Sequence, residues 1–234
     1  MNNEKSNFNN HDNSIHRILK TDIKKEPNLQ EDEIIFGCGC FWGAEKCFWK
    51  LPGVVTTSVG YAGGNKSNPT YYEVCSGITE HSEVVRVIWD KSKIDISDLL
   101  KMFWECHDPT QKNRQGNDIG TQYRSAIYFK NENNKNIILA SKVQYQKELN
   151  RNNFGLIETE IKLIDNYFYA EEYHQQYLAS EGSRQYCSAS PTKVKLADFN
   201  GCNYKLKESI WENFNWNIDK CVLRSDNKPI KNNN

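Results

Sequence analysis

The run Glu33-Ile34-Ile35-Phe36-Gly37-Cys38-Gly39-Cys40-Phe41-Trp42-Gly43-Ala44-Glu45 constrains this chain more than any other segment. Residues 33–37 read as a short buried strand. Glycines then flank a cysteine, and a helical pattern begins at once, with Ala44, Cys47, Phe48 and Leu51 on one face. A strand that passes through Gly39-Cys40 directly into a helix puts the Cys40 thiol at the helix N-terminus. There the backbone N–H groups and the macrodipole favour thiolate over thiol. Two aromatic rings, Phe41 and Trp42, follow the sulfur. A thiolate beside aromatic walls is a candidate nucleophile for a small sulfur- or carbonyl-bearing substrate. The alternative is a small buried hydrophobe, which is what free cysteines usually are.

The rest of the chain supplies a fold around that joint. Pro52-Gly53 stops the helix over 42–51. Val54–Tyr61 alternates and is β-branched, a strand ending at Gly63-Gly64, and Asn65–Pro69 is a turn cluster. Ser82–Asp90 is the clearest strand, Ile96–Cys106 reads as a helix with Ser97 as N-cap, and Tyr123–Phe129 is another strand. The order β-α-β-β-α-β over residues 33–130 predicts an α+β fold of split-βαβ type, with two helices on one face of an antiparallel or mixed sheet. A third helix over about 132–151 and a strand over about 157–164 extend it. From Asn166 the chain reads as a tyrosine-rich loop. From 188 it forms a long coil-rich tail, part of which packs through Phe199, Tyr204, Trp211, Phe214 and Trp216. The expected organisation is a polar, mostly disordered segment over 1–30, a catalytic domain over 31–190 and a partly packed extension over 191–234.

Charge and composition exclude several classes. Thirty basic residues balance thirty acidic ones, so neither nucleic acid nor an anionic membrane is the expected partner. No segment approaches the roughly 18 apolar residues that span a bilayer. The start, Met-Asn-Asn-Glu-Lys-Ser-Asn-Phe-Asn-Asn, lacks the apolar core of a secretory signal, and a cytoplasmic location is expected. In such a compartment the eight cysteines are reduced thiols, with one or two redox-active members, rather than a disulfide framework. Cys38-x-Cys40 could be half of a zinc site, but no second half at finger-like spacing follows, so no metal is expected.

Other residues have chemical potential in this pattern. Glu83 opens the Ser82–Asp90 strand on the face of Val85, Val87 and Trp89. A carboxyl on an apolar face has its charged form disfavoured and can serve as a proton donor. A strand-end side chain reaching water is the plainer reading. Asp118 lies in the glycine-bracketed loop 116–125, either as an Asx-turn residue or as a site residue. His107 is expected to be a cation at a helix C-terminus. His174 sits among tyrosines and could be a base for a cysteine. Cys187 lies late in the chain, where a flexible thiol can fold back onto an oxidised sulfur or stay inert.

These pieces together resemble the type A methionine sulfoxide reductases. The resemblance rests on Gly39-Cys40-Phe41-Trp42-Gly43, Leu51-Pro52-Gly53-Val54, Gly60-Tyr61-Ala62-Gly63-Gly64, Asn68-Pro69-Thr70-Tyr71 and Val74-Cys75-Ser76-Gly77. It continues through Trp104-Glu105, His107-Asp108-Pro109-Thr110, Arg114 to Asp118, Gly120 to Ser125, Ala170-Glu171 and His174 to Leu178. It spans about residues 33–187. It implies a two-layer α+β sandwich of ferredoxin-like topology, a monomer, and reduction of methionine S-sulfoxide, free or in oxidised proteins, with thioredoxin as reductant and no cofactor. It implies that Cys40 attacks the sulfoxide sulfur and that Glu83, helped by the Tyr71 and Tyr123 hydroxyls, donates the proton the oxygen needs to leave. Phe41 and Trp42 would hold the substrate methyl group, and Asp118, His174 and Tyr177 would support the site. The Cys40 sulfenic acid would condense with a second thiol, Cys187 being the best match.

The chain departs from that pattern in three places. Cys38 stands where a non-cysteine is usual, and on a continuous strand its side chain would share a face with that of Cys40. The usual glycine-rich segment around the resolving cysteine is replaced by Arg184-Gln185-Tyr186-Cys187-Ser188-Ala189-Ser190-Pro191. The tail carries Cys202 and Cys221, each a further candidate for resolution. Two rival readings remain at this level: a cysteine hydrolase or acyltransferase using Cys40, His174 and Asp118, and a non-catalytic binding or zinc module.

Overall fold

The computed structural model describes residues 14–216 and 225–231. In chain order its elements are β1 (Glu31–Cys38), α1 (Phe41–Trp49), β2 (Val54–Ala62), α2 (Tyr71–Cys75), β3 (Ser82–Asp90), α3 (Ile96–Cys106), β4 (Arg114–Gln115), β5 (Asp118–Ile119), β6 (Ser125–Phe129), α4 (Lys135–Arg151), β7 (Glu160–Leu163), β8 (Tyr167–Tyr169) and α5 (Glu208–Trp211). The architecture is mixed α/β. The main sheet runs β7-β6-β1-β3-β2-β8, and β4 pairs only with β5. Neighbours in the main sheet are antiparallel except β6 and β7, which are parallel.

Side-chain alternation along the strands sorts the sheet into two faces. Ile34, Phe36 and Cys38 of β1, Val85, Val87 and Trp89 of β3, and Ile127 and Phe129 of β6 join the large core beneath α1, α3 and α4. Ile35, Ala62, Val84, Ala126 and Tyr128 form a smaller cluster on the opposite face. That second face also buries Arg86, whose guanidinium meets Glu33 at 2.5 Å, the Tyr169 hydroxyl at 3.2 Å and the Lys25 carbonyl at 3.0 Å. A buried cation is tolerable only with such a full set of acceptors.

Several elements differ from the sequence expectation. The N-cap of α3 is Asp95, in a reciprocal capping box with Asp98, and Ser97 is inside the helix. Asp is as good a cap as Ser, and it lies one residue before the apolar pattern begins. Thr70 and Glu73 form a second capping box that starts α2, a helix absent from the sequence reading. Residues 167–169, expected to be loop, pair with β2, and Gly60 lets the Phe168 carbonyl approach to where a Cβ would be only 2.3 Å away. The stretch 14–30, expected to be disordered, packs on the domain. His16 and Ile23 are buried, and the His16 ring reaches the Thr57 hydroxyl at 2.9 Å. Residues 1–13 lie outside the described residues. His107 is not a surface cation. It is fully buried, with Nδ1 2.7 Å from the Phe103 carbonyl and Nε2 2.7 Å from the Ser125 hydroxyl, and burial lowers its pKa to about 4.

The segment after residue 190 completes the main core. Val194, Leu196, Phe199, Leu206, Ile210, Trp211, Phe214 and Trp216 are all buried in it. Polar residues of α3 fix its backbone: Glu105 accepts the Leu196 N–H at 2.9 Å, Ser97 the Asn203 N–H at 3.0 Å, and Asp98 the Lys205 N–H at 2.9 Å. Residues 225–230 then strap the outer side of α1. Lys46 donates to the Ser225 carbonyl, the Trp49 indole to Asn227 and Lys50 to Asp226, at 2.8–3.0 Å. Since Trp211 is 6% exposed in this core, Trp211→Ala should destabilise the whole fold by about 3–5 kcal/mol. Urea unfolding checks this, and a loss under ~1 kcal/mol would mean the segment is not integral.

Candidate active site

The site is built on the break between β1 and α1. β1 ends at Cys38, Gly39 turns the chain at φ +87°, and Cys40 is the N-cap of α1. A side chain at Gly39 would strike Gln115, whose amide holds both the N–H and the carbonyl of Asp108 at 2.9–3.0 Å. Because the strand stops at Cys38, the two cysteines do not share a strand face. Cys38 points into the core, and Cys40 lines a surface cavity.

That cavity has a volume of about 450 Å³ and is walled by Cys40, Phe41, Trp42, Tyr71, Glu83, Asp118, Tyr123, Tyr177, Arg184 and Tyr186. Glu83 reaches it from the start of strand β3, on the helix side of the sheet. It is 2% exposed, and its Oε2 accepts the Phe41 N–H at 3.1 Å. Burial, reinforced by the Asp118 charge, raises its pKa to about 8 against the pull of that hydrogen bond. Glu83 is therefore largely a carboxylic acid at neutral pH, not a strand-end residue in water. Burial pushes the Tyr71 and Tyr123 hydroxyls up as well, so both remain protonated donors.

The Cys40 thiol differs from the sequence expectation. The Trp42 N–H favours its thiolate, as a helix N-terminus should, but burial and the neighbouring Glu83 outweigh it and hold the pKa well above the usual thiol range. The resting group is a thiol.

The aromatic wall is fixed from behind. The Trp42 indole N–H donates to His174 Nδ1 at 3.1 Å, and its ring stacks on Tyr177 at 3.9 Å. The His174 ring also packs on Phe41 and Tyr71, at 5.1 and 4.5 Å between centroids. An indole can only donate, so His174 Nδ1 is an acceptor, and burial lowers the pKa of the ring to about 4. With that nitrogen occupied, His174 supports Trp42 and is badly placed to be a base for Cys40, which weighs against the hydrolase reading. Asp118 accepts the Tyr186 hydroxyl at 2.6 Å.

Cys187 does not line the cavity. Its sulfur lies over Gly43 of α1, where a Cβ would sit 2.4 Å from it. Gly43 is three residues after Cys40, hence on the same side of the helix. Cys202 sits in the turn over 199–202, its sulfur accepting the Phe199 N–H at 3.4 Å. Cys221 lies outside the described residues.

Sequence reasoning missed Arg184, Tyr186 and Glu171. Glu171 accepts the Tyr61 hydroxyl and the Tyr71 N–H at 2.8 and 2.9 Å, and so sets the position of Tyr71. Its signal in the sequence is the Ala170-Glu171 motif, which carries part of the family resemblance without saying what the carboxyl does. Among the described residues one set has metal-ligand proximity: Cys38, Cys106 and His107, all buried, with candidate ligand atoms within 4.8 Å of one another. Both His107 nitrogens already have partners, and none of the three faces the cavity, so the set fits a metal poorly.

Comparison with known proteins gives one answer. Residues 32–205 match the family Peptide methionine sulfoxide reductase. The peptide methionine sulfoxide reductase MsrA of Vibrio vulnificus is 54% identical over 180 residues, 77% of this chain and 86% of that protein. The MsrA of Salinispora arenicola is 56% identical over 177 residues, 75% of this chain and 80% of its own length. Among solved structures, methionine sulfoxide reductase A of Corynebacterium diphtheriae superposes with a TM-score of 0.63 at 43% identity, over 70% of this chain and 79% of that one. Reduced Mxr1 from Saccharomyces cerevisiae gives 0.62 at 31% identity, over 74% and 96%. The chain belongs to the peptide methionine sulfoxide reductase family.

Proposed function

We propose that this protein reduces the S epimer of methionine sulfoxide, free and in oxidised proteins, as a cytoplasmic monomer regenerated by thioredoxin. The observation that carries the reading is a buried carboxyl, its pKa raised to about 8, beside a cysteine at a helix start in an aromatic-walled cavity. A cysteine hydrolase needs a free base paired with the thiol, and His174 Nδ1 is already taken by the Trp42 indole. A sulfoxide reductase needs a protonated acid there, because the S–O oxygen is a poor leaving group until it is protonated. The strand order β6-β1-β3-β2 with α1 and α3 on one face supports the ferredoxin-like topology implied by the family resemblance.

In this reading the substrate methyl group sits against Phe41 and Trp42, with Trp42 held by His174 and Tyr177. Glu83 gives its proton to the sulfoxide oxygen, the Tyr71 and Tyr123 hydroxyls steady that oxygen, and Asp118 holds the opposite wall. Cys40 bonds to the sulfoxide sulfur and takes over the oxygen as a sulfenic acid, releasing methionine. The high resting pKa of Cys40 has a place here. Its thiolate is disfavoured while Glu83 is charged and less so when Glu83 is protonated, so acid and nucleophile are ready together. Cys187 then attacks the sulfenic sulfur, water leaves, and the Cys40–Cys187 disulfide is opened by the thioredoxin dithiol.

Cys40→Ser should abolish sulfoxide reduction, and near-normal methionine formation from it would sink the mechanism. Glu83→Gln keeps an acceptor for the Phe41 N–H but has no proton to give, and should slow single-turnover reduction by about 10²-fold or more. Because the Glu83 pKa is raised, its donor form is present below about pH 8 and lost above it. The single-turnover rate of the unsubstituted chain should therefore fall as pH rises through that value. The Gln variant should lack that limb; an identical pH profile would assign the proton elsewhere. Cys187→Ser should release one methionine per chain and then fail to cycle with thioredoxin, and continued cycling would point to Cys202, Cys221 or Cys38 as the resolving thiol.

A further inference from the structure

One cation stands on the wall of the catalytic cavity. Among the described residues that wall it, Arg184 is the only basic one, and no step of the reaction above uses its charge. It belongs to the Arg184-Gln185-Tyr186 stretch that stands where a glycine-rich segment is usual. Arg184 is exposed, and its guanidinium carbon lies 5.3 Å from the centroid of the Tyr186 ring. The Tyr186 hydroxyl in turn donates to Asp118 at 2.6 Å. The Arg184 backbone N–H donates to the Tyr177 hydroxyl at 3.3 Å, and the Tyr177 ring stacks on Trp42. Arg184 is thus tied to both sides of the cavity, the aromatic wall of Trp42 and the wall that carries Asp118.

The guanidinium is held there but not neutralised. An aromatic ring attracts its charge and gives its N–H donors no oxygen to bond. Among the described residues no carboxylate pairs with it. Its planar fork of donors, which matches a carboxylate, is therefore open. Position matters as much as charge. With the sulfoxide sulfur at Cys40 and the methyl group against Phe41 and Trp42, the third carbon substituent chain leads to the α-carbon. Glu83, at the inner end of the cavity, is 2% exposed, whereas Arg184 stands in solvent at the mouth, so that chain leads outward to it. Only three carbons of methionine separate its sulfur from the carboxyl carbon. A substrate carboxylate would also meet the Asp118 charge, and a cation beside it offsets that repulsion.

We propose that Arg184 is a specificity-determining residue that pairs with the α-carboxylate of the methionine sulfoxide residue itself. The inference rests on the reading above, in which the sulfoxide sulfur meets Cys40. Two sources carry a carboxylate at that atom, the free amino acid and the last residue of a peptide. A methionine sulfoxide inside a chain presents a neutral amide there, which keeps a carbonyl acceptor and lacks the charge. Substrates with the carboxylate are captured more tightly, while the bond changes at sulfur stay the same. The pair sits at the solvent edge of the cavity, so its effect is that of a partly exposed ion pair, about 5-fold in capture.

The test uses the full chain, reduced, in excess over substrate and without thioredoxin, so that release of the reduced product is read apart from regeneration. Second-order rate constants are compared within two pairs of substrates. One pair is methionine S-sulfoxide and its amide, the other N-acetylmethionine S-sulfoxide and its N-methylamide. The unsubstituted chain should favour the carboxylate member, and salt raised from about 0.01 M to about 1 M should erode that preference. Arg184→Gln should cut the preference about 5-fold, and Arg184→Lys, with the charge but without the fork, should keep part of it. A loss in the first pair alone assigns the pairing to the free amino acid, and a loss in the second alone assigns it to a peptide end; either upholds the inference. Equal slowing of both members in Arg184→Gln would mean that Arg184 only holds the segment leading to Cys187, and overturns it. A preference in the unsubstituted chain that salt leaves untouched also overturns it, even where the variants do not fold. No reduction of any of the four substrates by the unsubstituted chain overturns the parent reading instead.

Discussion

A single hydrogen bond, 3.1 Å from the Phe41 N–H to the Glu83 carboxyl, joins the first turn of α1 to the start of strand β3. The N–H belongs to a helix start, where the first backbone donors have no partner within the helix. The acceptor belongs to a carboxyl that would otherwise be buried without one. Each satisfies the other, and between them sits Cys40. The bond fixes the distance between an acid and a thiol supplied by Glu83 and Cys40, 43 positions apart in the chain, and neither group could hold that relation alone. An oxygen of a protonated carboxyl still accepts, so the tie survives whichever proton state Glu83 adopts.

A second buried carboxyl works on the far side of α1. Glu45 accepts the Thr57 hydroxyl at 2.9 Å, and the backbone N–H and side-chain amide of Gln176 at 2.8 and 2.7 Å. Burial raises its pKa to about 7 in spite of these donors. His16 meets the same Thr57, and Gln175 bonds both backbone groups of Val59 at 2.9 Å. The segment that carries His174 and Tyr177 is thereby clamped to both α1 and β2. The aromatic wall of the cavity is thus backed by this network as well as by its own stacking.

Much of this was legible beforehand, for identifiable reasons. Alternation put Glu83 on the side of Val85 and Val87, and helical spacing found α1, α3 and α4. Alternation could not say that Glu83 is buried, because β3 is covered on both faces and reads as apolar throughout. The three-residue strand β8 is too short for any period to show. α2 is legible in Thr70-Tyr71-Tyr72-Glu73, a capping-box pattern. Polar residues were misjudged where tertiary partners decide their state. His107 suited a helix terminus until Ser125 and the Phe103 carbonyl enclosed it, and His16 looked like part of a polar lead-in.

The strap over α1 also bears on the order in which the molecule can be made. The helix that carries the thiol emerges early in synthesis, yet Lys46, Trp49 and Lys50 bond to carbonyls 176–179 residues later in the chain. At about 5–20 residues per second, the ribosome leaves the outer side of α1 open for roughly 10 seconds or more. During that interval the reactive end of the helix can already be enclosed by β1 and β3 while its other end waits. Lys46, Trp49 and Lys50 therefore wait on the nascent chain without their final acceptors, and the helix gains its outer cover only when residues 225–228 arrive.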